Sequence, residues 1–405
     1  MNLTMTRHRF STSAAVCLPT TDTVNSNPAL SRPNLSWMSK ALAGAMVLCL
    51  SQAASAVEVE PYFHSWGGSL SSAKQNAGMT SAMLAFAVTR GSCAMDIGFQ
   101  EKLSDARSYI ASGGKLTLAF GGAAGTFAEI ACKDDNQLFN MMEKVMIDSG
   151  SRRFDFDIEG YQLLNTEGTA RRARVLARLQ DKYPDLFISM SLPAWLRGFN
   201  ADSINLLRTT INAGVRIDRV NAMVMSFGVE NLRTMVVPST VAQAAIVSFR
   251  ASASQVGTLF PNKNQAQLHA MMGMTPMIGR NDDGSTFTLA DAQAVANFAK
   301  LNGVGMISYW AFQRDTSGSS GVGQSAFQFH NIFKTADGYT APALVPTSAP
   351  APAPAGSCSA ANWVQGRYYA VGSRVSSNGS MYTAKVANPG YNPAVSTYYW
   401  SRYYC

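Results

Sequence analysis

Charge is scarce in this chain of 405 residues. Asp, Glu, Lys and Arg make up only 14% of it, whereas hydrophobic residues are 47%. So apolar a composition, with so little charge, excludes a disordered chain. Histidine is equally scarce, with four in all. No CxxC or His-rich cluster occurs, so neither a metal site nor a cofactor is expected. No apolar run long enough to span a bilayer follows the N-terminal region, so no membrane association is expected. Acidic residues are missing altogether from 357–405. The net charge of +8 therefore divides unevenly, with +3 in residues 1–56, +4 in residues 357–405 and about +1 between. No basic helix or Lys-rich tract accompanies it, which argues against a nucleic-acid partner. The length allows a large core and an accessory module, and nothing suggests more than a monomer.

What is present begins with a processing signal. Ala41–Leu50 (ALAGAMVLCL) is a short apolar run behind Lys40, followed by the small residues Ala54-Ser55-Ala56. That pattern reads as a secretory signal peptide cleaved after Ala56, and so as export. Met38 is its natural beginning; a long polar leader from Met1 is the alternative. Cleavage leaves Cys93, Cys132, Cys358 and Cys405, an even number that favours disulfides in an exported protein. Four cysteines allow three pairings. Cys358 and Cys405 bracket the last compact segment and are paired here, which leaves Cys93 with Cys132.

Ala341–Gly356 (APALVPTSAPAPAPAG) is a Pro/Ala-rich linker, extended and unable to form a core. It separates residues 57–340 from residues 357–405. The larger segment alternates apolar runs with amphipathic stretches. Strands are predicted at Val57–His64, Ala82–Ala87, Lys115–Phe120, Phe154–Ile158, Phe187–Leu192, Val220–Ser226, Ala270–Pro276 and Val304–Trp310. Helices are predicted at Asp135–Ser149, Thr169–Lys182 and Ala290–Leu301. Eight strands with helices between them point to an α/β fold, a (β/α)8 TIM barrel. A doubly wound open sheet is the alternative. In a barrel the chemistry belongs at the C-terminal strand ends.

One such end carries Phe154-Asp155-Phe156-Asp157-Ile158-Glu159-Gly160. Residues two apart share a face of a strand, so Asp155, Asp157 and Glu159 are expected to point inward together. Three acids on one inward face repel one another, which raises at least one carboxyl pKa toward what a general acid needs. The competing reading is an edge strand with its acids in solvent; the intervening Phe and Ile residues oppose it.

FDFDIEG resembles the catalytic strand of family 18 glycoside hydrolases, whose pattern is DxxDxDxE. Leu118–Gly122 resembles the SxGG segment of the third strand. SMSLP (189–193), NAMVMSFG (221–228), MTPMIG (274–279) and SYWAFQRD (308–315) resemble strands five to eight, so the likeness spans residues 57 to about 335 in order. The resemblance implies a retaining, substrate-assisted chitinase in which the acetamide of the sugar is the nucleophile, an exception to the two-carboxylate scheme. Glu159 is then the acid and base, Asp157 orients the acetamide and Asp155 tunes Asp157. Trp310 is the implied floor of the cleavage subsite, with Met225, Ser226, Phe227 and Tyr161 as substrate contacts. His64 and Trp66 are possible cleft residues, and Arg314 and Asp315 a possible ion pair behind Trp310.

The chain departs from the family pattern at four places. Arg152 replaces the first Asp and is expected either to point away or to pair with Asp155. Ala119 replaces the Ser of SxGG. Ser226 and Phe227 stand where many relatives carry an Asp and a Tyr. Glu159 and Asp157 are retained, so activity is expected.

Residues 357–405 hold Trp363, Trp400 and eight tyrosines, more aromatic surface than so small a core can bury. The run Trp363…Tyr369-Ala-Val-Gly372…Tyr382-Thr-Ala384…Trp400 resembles family 5/12 carbohydrate-binding modules. A small antiparallel β domain is expected, turning at Asn378-Gly379. The resemblance implies a chitin-binding module in which Trp400 and Tyr399 or Tyr398 face the sugar, Trp363 lies in the core, and Tyr382 belongs to the pattern. The expected partner is thus chitin or its N-acetylglucosamine oligosaccharides. Two rivals are an endo-β-N-acetylglucosaminidase acting on N-glycans and a catalytically silent chitin-binding lectin.

Overall fold

The computed structural model describes residues 56–228 and 240–338, and from the C-terminal segment 360–364, 369, 372–385, 392–394 and 399–403. The expected leader, the linker and both Cys358 and Cys405 lie outside the described residues, as does Tyr398.

The eight predicted strands all form. The first is split by Pro61 into Glu58–Val59 and Tyr62–His64, together β1. Then come β2 (Ser81–Ala87), β3 (Lys115–Gly121), β4 (Arg153–Asp157), β5 (Phe187–Trp195), β6 (Arg219–Met223), β7 (Met272–Thr275) and β8 (Met306–Ile307). Each pairs in parallel with the next. The first piece of β1 pairs with β8 and the second with β2, so the sheet curls until one chain segment holds both of its ends. This is the strand order that a (β/α)8 barrel requires.

Helices fill the connections, and their ends follow from local chemistry. Asp134 caps the helix Asp135–Ser149 by accepting the N–H groups of Asn136 and Gln137. Thr288 and Asp291 form a reciprocal capping box at the start of Leu289–Asn302. Apolar side chains on the outer face of the sheet, Phe154, Phe156 and Ile158 among them, join the helices in one large core. A second, smaller cluster comprises Tyr62, Met83, Ala85, Ala119, Met306 and Ala311, with Phe86 and Trp310 against it.

The two ends of the sheet differ in chemistry. At the N-terminal ends, Arg153 and Arg219 bind both Glu58 and Glu60, and Lys115 binds Glu58. Burial raises the pKa of Glu58, but Arg219, Arg153 and Lys115 together pull it down to about 2. Glu60, deeper and beside Glu58, is pushed up instead. This ionic plug seals the end where barrels invest in stability. Cys93 and Cys132 stand in the expected pairing, with Cα atoms 4.5 Å apart.

The C-terminal segment holds an antiparallel sheet of β9 (Arg374–Ser377), β10 (Ser380–Ala384) and β11 (Trp400–Tyr403), with Asn378-Gly379 at the turn. Tyr382 opposes Val375 and Ala384 opposes Trp400, so these four share one buried face with Tyr369. The burial of the two tryptophans differs from the expectation. Trp400 is a core residue at 2% exposure and cannot face a polysaccharide, whereas Trp363 is only partly covered. Tyr382 is likewise buried, and Tyr399 is half-covered.

Candidate active site

The C-terminal strand ends surround a cleft of about 920 Å³. Its lining includes Tyr62, Phe86, Asp157, Glu159, Met223, Met225, Ser226, Asp282 and Trp310. The acids arrive as the pleat dictates. Asp155 and Asp157 are both buried, while Phe154 and Phe156 pack outward. β4 ends at Asp157, so Glu159 stands beyond the strand, half-buried at the mouth.

Asp155 is embedded in a hydroxyl network. It accepts hydrogen bonds from Tyr62 Oη (3.0 Å) and from Ser191 Oγ (2.9 Å). Ser191 in turn accepts from Asn221 Nδ2 at 2.8 Å, and Asn221 Oδ1 accepts from Thr275 Oγ1 at 2.8 Å. One polar side chain from each of four strands thus holds the innermost acid. Asp157 is less well served, for its Oδ1 is buried with no partner. An unpaired buried carboxylate oxygen favours the protonated form.

All three acids hold their protons more tightly than usual. For Asp155 burial is the cause, opposed by the Ser191 and Tyr62 hydrogen bonds. Asp157 is pushed well above the ordinary carboxylate range by burial and by the charges of Glu159 and Asp155. Glu159 is raised by burial and by the charge of Asp282. Such a set titrates as a group and retains protons to higher pH than isolated carboxylates.

Backbone detail keeps the acids in place. Gly121, at φ +102°, ends β3 against Asp157; a Cβ there would come within 2.2 Å of the Asp157 carbonyl oxygen. Gly122 donates its N–H to that oxygen (2.9 Å). A Cβ on Gly122 would meet the Phe86 ring at 2.6 Å. Phe86 stacks on Trp310, with ring centres 5.5 Å apart, and Tyr62 and His64 flank the same indole. The paired glycines therefore serve both the acids and the aromatic floor.

The remaining expected residues divide. Met225 and Ser226 line the cleft, as does Trp66, which stacks on His64 with ring centres 4.5 Å apart. Ser226 has φ +50°, a strained value for a residue with a side chain. Phe227 is buried in the outer core instead, and Tyr161 is 77% exposed and outside the cleft lining. The turn after Asp157 carries Tyr161 outward, because the strand parity that placed the acids stops there. Arg152 points away, over the ring of Tyr183 and toward Asp185. Arg314 and Asp315 form no pair with each other. Arg314 donates to the Ile278 and Arg280 carbonyls, whereas Asp315 accepts the N–H groups of Phe329 and His330. Among the described residues no cluster of His, Cys, Asp and Glu could hold a metal ion.

Tyr62, Ser191, Asn221 and Asp282 were not anticipated. Tyr62, Ser191 and Asn221 lie in largely apolar strands and are brought together by strand register, whereas Asp282 lies in the polar loop after β7. Pleat parity along Glu60-Pro61-Tyr62 was the signal that could have found Tyr62.

No protein-family model matches the chain. It is 30% identical over 247 residues to "Endochitinase 11" of Metarhizium anisopliae, covering 57% of this chain and 47% of that protein. It is also 30% identical over 233 residues to the "Probable bifunctional chitinase/lysozyme" of Escherichia coli (strain K12), covering 55% and 25%. The chain thus spans half or less of the length of these curated relatives. Among solved structures, the catalytic domain of a hyperthermophilic chitinase from Pyrococcus furiosus is 28% identical, with a TM-score of 0.62 over 71% of this chain and 99% of that one. Catalytic-site mutants of active domain 2 of that organism's thermostable chitinase, complexed with chito-oligosaccharides, match at 27% identity and a TM-score of 0.61 over 70% of this chain and 96% of that one. The curled sheet is therefore chitinase-like in both sequence and fold.

Proposed function

We propose that this protein is an exported endo-acting chitinase of the family 18 type, which cleaves β-1,4 bonds between N-acetylglucosamine units with retention. The observation that carries this reading is the acid ladder of Asp155, Asp157 and Glu159, opening at a strand end into a cleft floored by Trp310. Glu159 protonates the glycosidic oxygen. The substrate's acetamide oxygen attacks the anomeric carbon and displaces the leaving sugar, giving a cyclic oxazolinium. Asp157 accepts the acetamide N–H and stabilises the positive charge. Glu159 then takes a proton from the water that opens the ring. Asp155, held by Tyr62 and Ser191, sets the charge behind Asp157.

The half-buried position of Glu159 suits this double role. It is dry enough to raise its pKa and open enough to reach a leaving group. An apolar floor of Trp310 suits the C–H face of a pyranose. The retained glutamate argues against a silent lectin.

Export after Ala56, a Cys93–Cys132 disulfide and chitin binding by residues 357–405 belong to the same proposal. Trp363 and Tyr399, each partly covered at the edge of the small core, are the sugar-facing candidates in place of Trp400. Tethering such a module would raise the local concentration of polymer at the cleft.

The test is hydrolysis of the N-acetylglucosamine tetramer, and of the same oligomer without acetyl groups, by the native chain and by Glu159→Gln. The reading requires cleavage of the acetylated oligomer by the native chain alone. Chitin binding with no cleavage by either protein would instead establish the lectin.

A further inference from the structure

The loop after β7 is fastened to the loop after β6 at alternate residues. Asn281, buried, accepts the N–H of Ser226 at 3.1 Å and donates to the carbonyls of Met277 (2.9 Å) and Gly279 (3.1 Å). Asp283 accepts the N–H of Gly228 at 2.7 Å and both the N–H and the hydroxyl of Ser285. Asp282 lies between these two clamps and is used by neither. It forms no ion pair or hydrogen bond with a described residue, yet it is exposed in the wall of the same cleft as Glu159. A carboxylate in so firmly fastened a loop, with no part in fastening it, is available to the site.

We propose that Asp282 is a positioning residue of the catalytic centre, a fixed negative charge across the cleft that keeps the proton on Glu159 until substrate takes it. This rests on the assignment of Glu159 as the acid. The titratable groups on the Glu159 side of the cleft are Asp157 and Asp155 on the preceding strand β4, and the Tyr62 phenol from β1. From the wall after β2 come Arg90 and Asp96, paired with each other, and from the loop after β7 comes Asp282. Arg314, after β8, donates to the Ile278 and Arg280 carbonyls, and its charge is coupled to that of Asp282. Asp155 and Asp157 sit deeper and are themselves proton-rich, which leaves Asp282 as the outer charge acting on Glu159. A negative neighbour raises a carboxyl pKa, so its removal lowers that of Glu159. The acid is then lost at a lower pH, and the alkaline limb of the rate profile moves down.

The experiment uses the full chain with 13C-labelled glutamate, native and as Asp282→Asn and Asp282→Glu, titrated by NMR. The Glu159 signal is identified by its absence from Glu159→Gln. The expected result is a fall of roughly half a unit to one unit in the Glu159 midpoint for Asp282→Asn, with recovery in Asp282→Glu. The alkaline limb for tetramer hydrolysis should shift by the same amount. An unchanged Glu159 midpoint in a folded Asp282→Asn protein overturns the proposal. Because the titration needs no turnover, a shifted midpoint in a native chain that does not cleave chitin oligosaccharides would retain the Asp282 coupling and reject the chitinase reading instead.

Discussion

Replacing Tyr62 by Phe removes one oxygen from the centre of the hydroxyl network and leaves the ring that packs beside Phe86 and Trp310. The lost bond, Tyr62 Oη to Asp155 Oδ2 at 3.0 Å, is buried and involves a carboxylate. Hydrogen bonds to charged groups contribute about 1.5–3 kcal/mol. Each pKa unit corresponds to about 1.4 kcal/mol, so Asp155 should rise by roughly one to two units. A proton held more firmly on Asp155 weakens the negative charge behind Asp157, and with it the stabilisation of the oxazolinium. The account therefore predicts a fall in kcat of roughly 10- to 100-fold, with little change in KM. The assay is steady-state hydrolysis of the N-acetylglucosamine tetramer across pH, beside circular dichroism to confirm the fold. A folded Tyr62→Phe protein with native kcat and an unshifted acid limb would refute the reasoning.

Trp310→Ala removes the cleft floor, and a sugar platform of about 1–1.5 kcal/mol should appear as a KM raised roughly 10-fold for the tetramer. Acid should weaken the fold through the ionic plug. Folding pulls Glu58 from its ordinary 4.5 to about 2, so its contribution is complete above pH 4.5 and is lost as the pH falls toward 2. Glu58→Gln should flatten the dependence of the thermal midpoint on pH in that window, and an unchanged slope would contradict the assignment. In the C-terminal sheet, Trp363→Ala should reduce retention on chitin while the β9–β11 sheet stays folded. Trp400→Ala, which empties a buried site, should instead destabilise the sheet by about 3–5 kcal/mol. Equal losses of sheet stability from both changes would overturn this assignment of core and edge tryptophans.

The strands and the acid ladder were legible because each is a local, periodic signal. Alternation of Phe and Asp fixes which side chains face inward, whatever the neighbouring strand is. The hydroxyl network was not legible, since Tyr62, Ser191, Asn221 and Thr275 lie up to 213 residues apart in the chain, and only parallel register brings them to one acid. Tyr161 was misplaced because the resemblance implied it as a contact, whereas the chain turns after β4 ends at Asp157 and leaves Tyr161 exposed. Trp400 was misplaced because aromatic excess shows that some rings must be exposed without showing which. The pairing of Ala384 with Trp400 decides it. Asp282 carried no pattern at all, and its meaning comes from the two clamped residues beside it.

The central claim is that the substrate's own acetamide performs the displacement while Glu159 moves the proton. Proton NMR of the first products from the N-acetylglucosamine tetramer tests this most directly, because retention and inversion give different anomers before mutarotation. The account predicts chitobiose that appears first as the β-anomer, with no product from Glu159→Gln. Initial α-anomer, or equal cleavage of an oligomer lacking acetyl groups, would contradict it.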